Sequence, residues 1–207
     1  MAQFLAITSR GLNDVLLEEI KDIGVKRCWL KPEGVYFEGS WKEAYKVNYH
    51  SRIASRVLKP LLDFPAYQPE ELYQNIQKHD FTKYITPKET LAIEAKVRES
   101  KFQDQRFVAL KIKDAIVDQF TDKFGKRPDV DNKRPDLNLM VRVVKNQFSV
   151  SLDLSGGSLA YRGYRVSTTA APLRENLAAG LLRMTGWTPD MPLVDPMCGS
   201  GTFSIEA

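Results

Sequence analysis

The stretch from residue 192 to 207 constrains this chain more than any other. Pro192-Leu193-Val194-Asp195-Pro196-Met197-Cys198-Gly199-Ser200-Gly201-Thr202-Phe203-Ser204-Ile205-Glu206-Ala207 is a short apolar run, a glycine-bearing turn and the opening of a helix. That order predicts a strand-turn-helix unit. Glycines at 199 and 201 remove the side chains that would hold a ligand off the backbone. A helix starting near Thr202 turns free N–H groups and the positive end of its dipole toward the same spot, which suits a carboxylate or phosphate. Two glycines one residue apart are a weak signal, and on that spacing alone a plain strand-to-helix turn is an equally good reading.

Length and charge set the frame around this unit. A chain of 207 residues, 43% apolar and 10% aromatic, has room for one or two ordinary globular domains. No run approaches the roughly 18 uninterrupted apolar residues of a membrane span, and Met1-Ala2-Gln3-Phe4 lacks the basic start of a secretory signal, so a cytoplasmic protein with no membrane partner is expected. Cys28 and Cys198 are isolated and His50 and His79 lie far apart, which argues against a disulfide framework or a metal site. Cys28 falls in an extended run and reads as a small buried residue. The net charge of +4 permits a polyanionic partner without requiring one.

From the N-terminus, Phe4 to Thr8 reads as a strand. Leu12, Val15, Leu16, Ile20 and Ile23 recur at helical spacing before Gly24, and two extended runs, 26–30 and 35–38, flank the turn Pro32-Glu33-Gly34. The result is a small β-α-β-β unit. A second helix is expected over 41–49, a basic extended stretch with Arg56 and Lys59 over 55–62, and a short helix near 70–78 after Pro65 and Pro69.

A second set begins at Thr90 with the alternating strand Leu91, Ile93, Ala95, Val97. Residues 107–124 give the longest helix, with Phe107, Leu110, Ile112, Ile116, Val117, Phe120 and Phe124 as its apolar stripe. Lys113 falls within that arc and must reach out along it or meet a partner. Two alternating strands, 137–143 and 148–154, are joined through Lys145-Asn146-Gln147. Strand, helix and hairpin form an α+β layer.

At Ser155-Gly156-Gly157-Ser158-Leu159-Ala160-Tyr161-Arg162-Gly163-Tyr164-Arg165 the character changes: glycine, tyrosine and arginine interleave, which suits phosphate contact and base stacking. A flexible connector with solvated arginines is the alternative. This run, together with Lys111-x-Lys113-Asp114-Ala115-Ile116-Val117 and Arg134-Pro135-Asp136-Leu137, resembles the end of a THUMP domain, the RNA-binding module fused to RNA-modifying enzymes. Asp195-Pro196-Met197-Cys198-Gly199-Ser200-Gly201-Thr202 resembles the S-adenosylmethionine loop of class I methyltransferases that act on exocyclic amines of nucleobases. The whole order, with Ala171-Pro172-Leu173-Arg174-Glu175-Asn176-Leu177-Ala178 between, is similar to the bacterial 23S rRNA guanine-N2 methyltransferases.

The resemblance implies an α+β chain with a ferredoxin-like unit over 1–45, extending as far as about 65, a THUMP domain over 46–155, a linker over 156–170 and, over 171–207, the first helix and strand of a truncated Rossmann-like class I methyltransferase domain. It implies S-adenosylmethionine as cofactor, held by Asp195, Pro196, Cys198, Gly199, Gly201 and Thr202. It implies RNA, 23S rRNA first, as partner. Between 91 and 166 there are about 15 Lys and Arg against about 10 acids, and Lys111, Lys113, Arg127, Arg134, Arg162 and Arg165 are expected beside phosphate. Arg174 and Glu175 open the helix from Pro172 and either touch the cofactor or are simply solvated. Leu177, Leu181, Leu182 and Met184 are its expected buried face. The family's Asn/Asp-Pro-Pro-Tyr-type motif for the target base does not occur here, so no catalytic residue is named and residues 1–207 alone are expected to be inactive. A THUMP enzyme acting on tRNA guanine and a non-catalytic RNA-binding module remain open.

Overall fold

The computed structural model describes residues 1–166 and 172–207. In chain order its elements are β1 (Ala2–Ile7), α1 (Asn13–Asp22), β2 (Arg27–Lys31), β3 (Gly34–Gly39), α2 (Trp41–His50), β4 (Arg56–Pro65), α3 (Pro69–Gln77), a 3₁₀ turn (Phe81–Lys83), β5 (Thr90–Arg98), α4 (Gln105–Phe124), β6 (Asp129–Val130), β7 (Leu137–Val144), β8 (Gln147–Asp153), α5 (Glu175–Met184) and α6 (Thr202–Glu206). They group into two units, Met1–Leu58 with Gly157–Ala207, and Lys59–Gly156.

In the first unit the strands run in the order β2-β3-β1-β4, all antiparallel. Phe4 lies opposite Phe37, and the two rings stack at 5.4 Å with Trp41 edge-on to Phe4 at 5.6 Å. Leu16, Ile20, Val35, Ala44 and Val47 complete a fully buried core, each large member contributing about 1.5–3 kcal/mol by leaving water. α2 starts sharply because Ser40 and Glu43 form a capping box: the Ser40 N–H donates to Glu43 Oε2 at 2.7 Å, and the Lys42 N–H donates to Ser40 Oγ at 3.1 Å. These bonds, the Ser40 hydroxyl first, hold the Glu43 carboxyl below its ordinary range.

The same unit includes α5, which packs on α1. A side chain at Gly180 would come within 2.6 Å of Leu12 Cδ1, so only glycine allows this approach. Glu19, buried in α1, accepts the Arg52 N–H at 2.8 Å and the Ser51 hydroxyl, tying the 51–54 turn to the helix.

In the second unit the order is β4-β8-β7-β5-β6. β5 and β7 are parallel, joined through α4, and β7 and β8 form an antiparallel hairpin. Its turn has two residues, Lys145 and Asn146, both at positive φ, and not three; Gln147 already pairs with Val144. Asn146 holds this strained turn by accepting from Ser100 Oγ at 2.9 Å and from the Lys101 N–H at 2.8 Å. The core joins Phe64, Leu72, Ile76, Phe81, Ile112, Ile116, Phe120, Val141 and Phe148.

Several sequence expectations are corrected. The buried face of α4 is Val108, Ile112, Ala115, Ile116 and Phe120, while Phe107, Leu110 and Phe124 are exposed. The true stripe is therefore rotated, and at about 100° per residue Lys113 falls near its edge. Between α4 and β7, where periodicity marks no element, lies β6, two residues parallel to β5. In α5, Met184 is 58% exposed and the buried face is Glu175, Asn176, Ala178, Ala179, Gly180 and Leu182, because small residues are what the contact with α1 admits. Cys28 is half-buried in β2, its thiol pushed up by burial. Residues 192–195 form no strand, since none pairs with them among the described residues and Val194 is 83% exposed. No described helix is long and apolar enough to cross a membrane.

Candidate functional site

The glycine turn and the arginines before it come together in the first unit. Gly199 and Gly201 adopt φ of 54° and 73°, left-handed conformations that side chains disfavour. The Gly201 N–H donates to the Cys198 carbonyl at 2.8 Å, and no atom lies within 4 Å of where a Gly201 side chain would begin. The backbone of the turn is thus open on that side. Asp195 Oδ1 accepts the Met197 N–H at 3.2 Å, whereas its Oδ2 is buried without a hydrogen-bond partner. A buried carboxylate oxygen left unmatched is costly, and a ligand hydroxyl or ammonium would satisfy it. Pro196 and Cys198 lie in the same turn with Cys198 exposed, and Thr202, buried, opens α6.

Arg165 fixes this turn against α5. Its Nε donates to Glu175 Oε1, one Nη to Ser200 Oγ and the other to Thr202 Oγ1, each at 2.9 Å; the second Nη also reaches the Leu173 carbonyl. The pair is sequestered, with side chains 14% and 3% exposed for Arg165 and Glu175. A planar guanidinium can bridge three elements in this way because its donors form a rigid fork. Glu175 also accepts the Arg162 N–H, and the Arg162 guanidinium donates to the Ser51 carbonyl at 2.7 Å. Tyr164 donates to Glu206 Oε1 at 2.9 Å while Arg52 contacts Glu206 Oε2 at 3.0 Å. Burial first, then the Glu206 carboxylate, pushes the Tyr164 phenol up to about 12. Both connector arginines are thereby committed to protein acceptors. Arg174 is exposed at the head of α5, unlike Glu175. Residues 167–171, with Ala171 and the end of the expected linker, lie outside the described residues.

Beside the turn, Leu181, Leu182, Trp187, Leu193, Val194, Asp195 and Phe203 line an apolar pocket of about 290 Å³. Trp187 was not legible there from the sequence, because a tryptophan three residues past a helix has no periodic signature.

In the second unit α3, α4 and the β6 segment enclose a groove of about 520 Å³. It brings together Lys111, Lys113 and Arg127, three of the expected RNA contacts, with Tyr73, Asp114, Asp118 and Asp129. The charges are partly matched: Lys113 meets Asp114 at 2.9 Å, Lys111 lies 3.6 Å from Glu70 and 5.3 Å over the Tyr73 ring, and Tyr73 donates to Asp118 at 2.7 Å. That last bond raises the Tyr73 phenol above its ordinary range. Arg134 is exposed outside the groove, in a loop where Asp131 accepts the Lys133 and Arg134 N–H groups at 2.7 and 3.2 Å. Tyr73 and Asp118 escaped the sequence reading because they sit on different helices, 45 residues apart.

Comparison with known proteins gives each part of the chain a counterpart. Residues 3–58 match the RlmL ferredoxin-like domain, 66–153 the THUMP domain and 162–207 the RMKL-like methyltransferase domain. A Syntrophotalea carbinolica protein named "Ribosomal RNA large subunit methyltransferase K/L" is 43% identical over 99% of this chain and 29% of its own length. A Synechocystis protein named "Putative RNA methyltransferase slr0064" is 40% identical over 99% of this chain and 53% of its own. A solved structure titled "SMU.472, a putative methyltransferase complexed with SAH" has a TM-score of 0.86 at 32% identity, covering 99% of this chain and 54% of that one. The chain thus spans about half or less of the length of these relatives. A ferredoxin-like domain, a THUMP domain and an RMKL-like methyltransferase segment thus follow one another in a single α+β chain, each over the residues that its family model matches.

Proposed function

We propose that this chain is the RNA-engaging and cofactor-loop part of an S-adenosylmethionine-dependent methyltransferase that modifies the N2 amine of a guanine in 23S rRNA. The Syntrophotalea relative's name supports a large-subunit rRNA substrate, and the solved relative's complex with SAH supports the cofactor. The observation that carries the reading is the turn at 195–202. Its open glycine backbone and the unmatched Asp195 Oδ2 fit a ligand that brings hydroxyl or ammonium donors, as this cofactor does. When bound, S-adenosylmethionine supplies an electrophilic methyl group. The residues of this chain contribute binding and orientation, which is where most of the acceleration of such a transfer originates. Asp195, Pro196, Cys198, Gly199, Gly201 and Thr202 form the loop, and Arg162 and Arg165 act through it by holding its shape. Lys111, Lys113, Arg127 and Arg134 meet RNA phosphates, orienting the substrate without reading its sequence.

Mass spectrometry of modified guanines, after deletion of the full-length gene, tests this. The expected result is loss of one N2-methylguanine from 23S rRNA, restored by the intact gene and not by its Gly199→Arg, Gly201→Arg variant. Loss from tRNA would overturn the rRNA assignment, and no loss anywhere would favour a non-catalytic RNA-binding module. Residues 1–207 alone are inactive in this reading, because the Asn/Asp-Pro-Pro-Tyr-type motif for the target base does not occur among them; methyl transfer to RNA by residues 1–207 alone would contradict that.

A further inference from the structure

α2 carries two parallel rows on its solvent side. Trp41, Tyr45 and Tyr49 recur at intervals of four, and so, one position later, do Lys42, Lys46 and His50. At about 100° per residue the rows are neighbours on the face opposite buried Ala44 and Val47. All six residues are exposed, and the rings increasingly so along the helix: Trp41 45%, Tyr45 58%, Tyr49 83%. Soluble domains seldom leave three large aromatics in one row, and such a row marks an interaction site.

The rings are also held in place. Trp41 sits edge-on against Phe4 at 5.6 Å and 6.2 Å from Tyr45, and Tyr49 is perpendicular to His50 at 5.0 Å. The one acid of the helix, Glu43, is occupied by the Ser40 cap. The face therefore combines flat π surfaces with positive charge and no opposing free carboxylate from its own helix. The groove of the second unit differs, since its lysines already lie beside acids.

We propose that the α2 face is a contact site for unpaired nucleotides of RNA, with bases stacked on Tyr45, Tyr49 and the exposed edge of Trp41 and phosphates on Lys42 and Lys46, beside His50. Charge complementarity and stacking both select this partner: a polyanion with exposed base faces uses the two rows at once, whereas a duplex keeps its bases stacked inside and offers phosphates only. The site lies in the ferredoxin-like part, separate from the THUMP-domain groove. It rests on the RNA-methyltransferase reading above and adds a preference for single-stranded segments.

Fluorescence anisotropy on the full-length protein tests it, with a labelled twelve-nucleotide oligouridine and a blunt RNA duplex as probes. The Tyr45→Ala, Tyr49→Ala variant should bind oligouridine about tenfold or more weakly for the loss of two stacking rings, with duplex binding unchanged. Tyr45→Phe, Tyr49→Phe should restore it, because the π faces return without the hydroxyls. Lys42→Gln, Lys46→Gln should lower the salt dependence of oligouridine binding by about two units of slope. Unchanged oligouridine affinity in the double alanine variant would overturn the proposal, as would equal losses for both probes. A concentration-dependent dimer abolished by the same variant would also overturn it and make the face a self-association surface. These outcomes are independent of the rRNA methylation test, so failure here and failure of the enzymatic reading are told apart.

Discussion

Arg165 shows how much a single side chain can organise. Its guanidinium is shared among Glu175, Ser200 and Thr202, and through them it joins the head of α5 to the glycine turn. Removing it would leave the Glu175 carboxylate, 3% exposed, without a cation. Breaking a buried pair in this way costs about 3–5 kcal/mol, whereas an exposed pair costs about 0–1. We expect Arg165→Met to fall in the first range by urea unfolding, and Arg165→Lys to recover part of that stability while cofactor binding by the intact protein stays weakened, since one ammonium cannot replace the fork to Ser200 and Thr202. Near-native stability of the methionine variant would mean that the pair is solvated. The sequence did not distinguish these cases. An acid in the first turn of a helix is favourable in water as well, and only the neighbouring backbone determines that Glu175 is buried.

At the scale of elements, periodicity located the strands and helices well but oriented two helices imperfectly. α4 has apolar residues over more than half its circumference, so the wheel could not say which of them face the sheet; burial selects Val108, Ile112, Ala115, Ile116 and Phe120. In α5 the search for large apolar residues missed a contact built from small ones. Gly180 is the clearest instance. Gly180→Ala should gain about 1 kcal/mol of helix propensity, yet its new methyl group would meet Leu12 Cδ1 at 2.6 Å, and overpacking of a filled site costs about 1–3 kcal/mol. Net destabilisation is expected by thermal unfolding, and it should shrink in the Leu12→Ala background, where the clash is gone. An additive double variant would show that α1 and α5 do not touch through this pair.

For the whole molecule the useful quantity is the salt dependence of binding. If Lys111, Lys113, Arg127 and Arg134 meet phosphate, each replaced by glutamine should flatten the logarithmic salt slope for a structured rRNA fragment by about one unit, and affinities measured at several salt concentrations will show it. An unchanged slope in the quadruple variant would move the RNA face elsewhere. The sequence by itself determined the β-α-β-β opening, the hairpin and the glycine turn, because each depends on residues within a few positions of one another. Tertiary structure alone decided which partners meet across long separations: Arg165 with Ser200, 35 residues on, Glu19 with the Arg52 backbone, 33 residues on, and Lys111 with Arg127 in one groove. It also decided that 192–195 is not a strand, since a strand exists only where another strand takes its hydrogen bonds, and that Asp195 keeps one oxygen unmatched. A chain encodes its local geometry in neighbouring residues, whereas burial and hydrogen-bond partners belong to the packed whole.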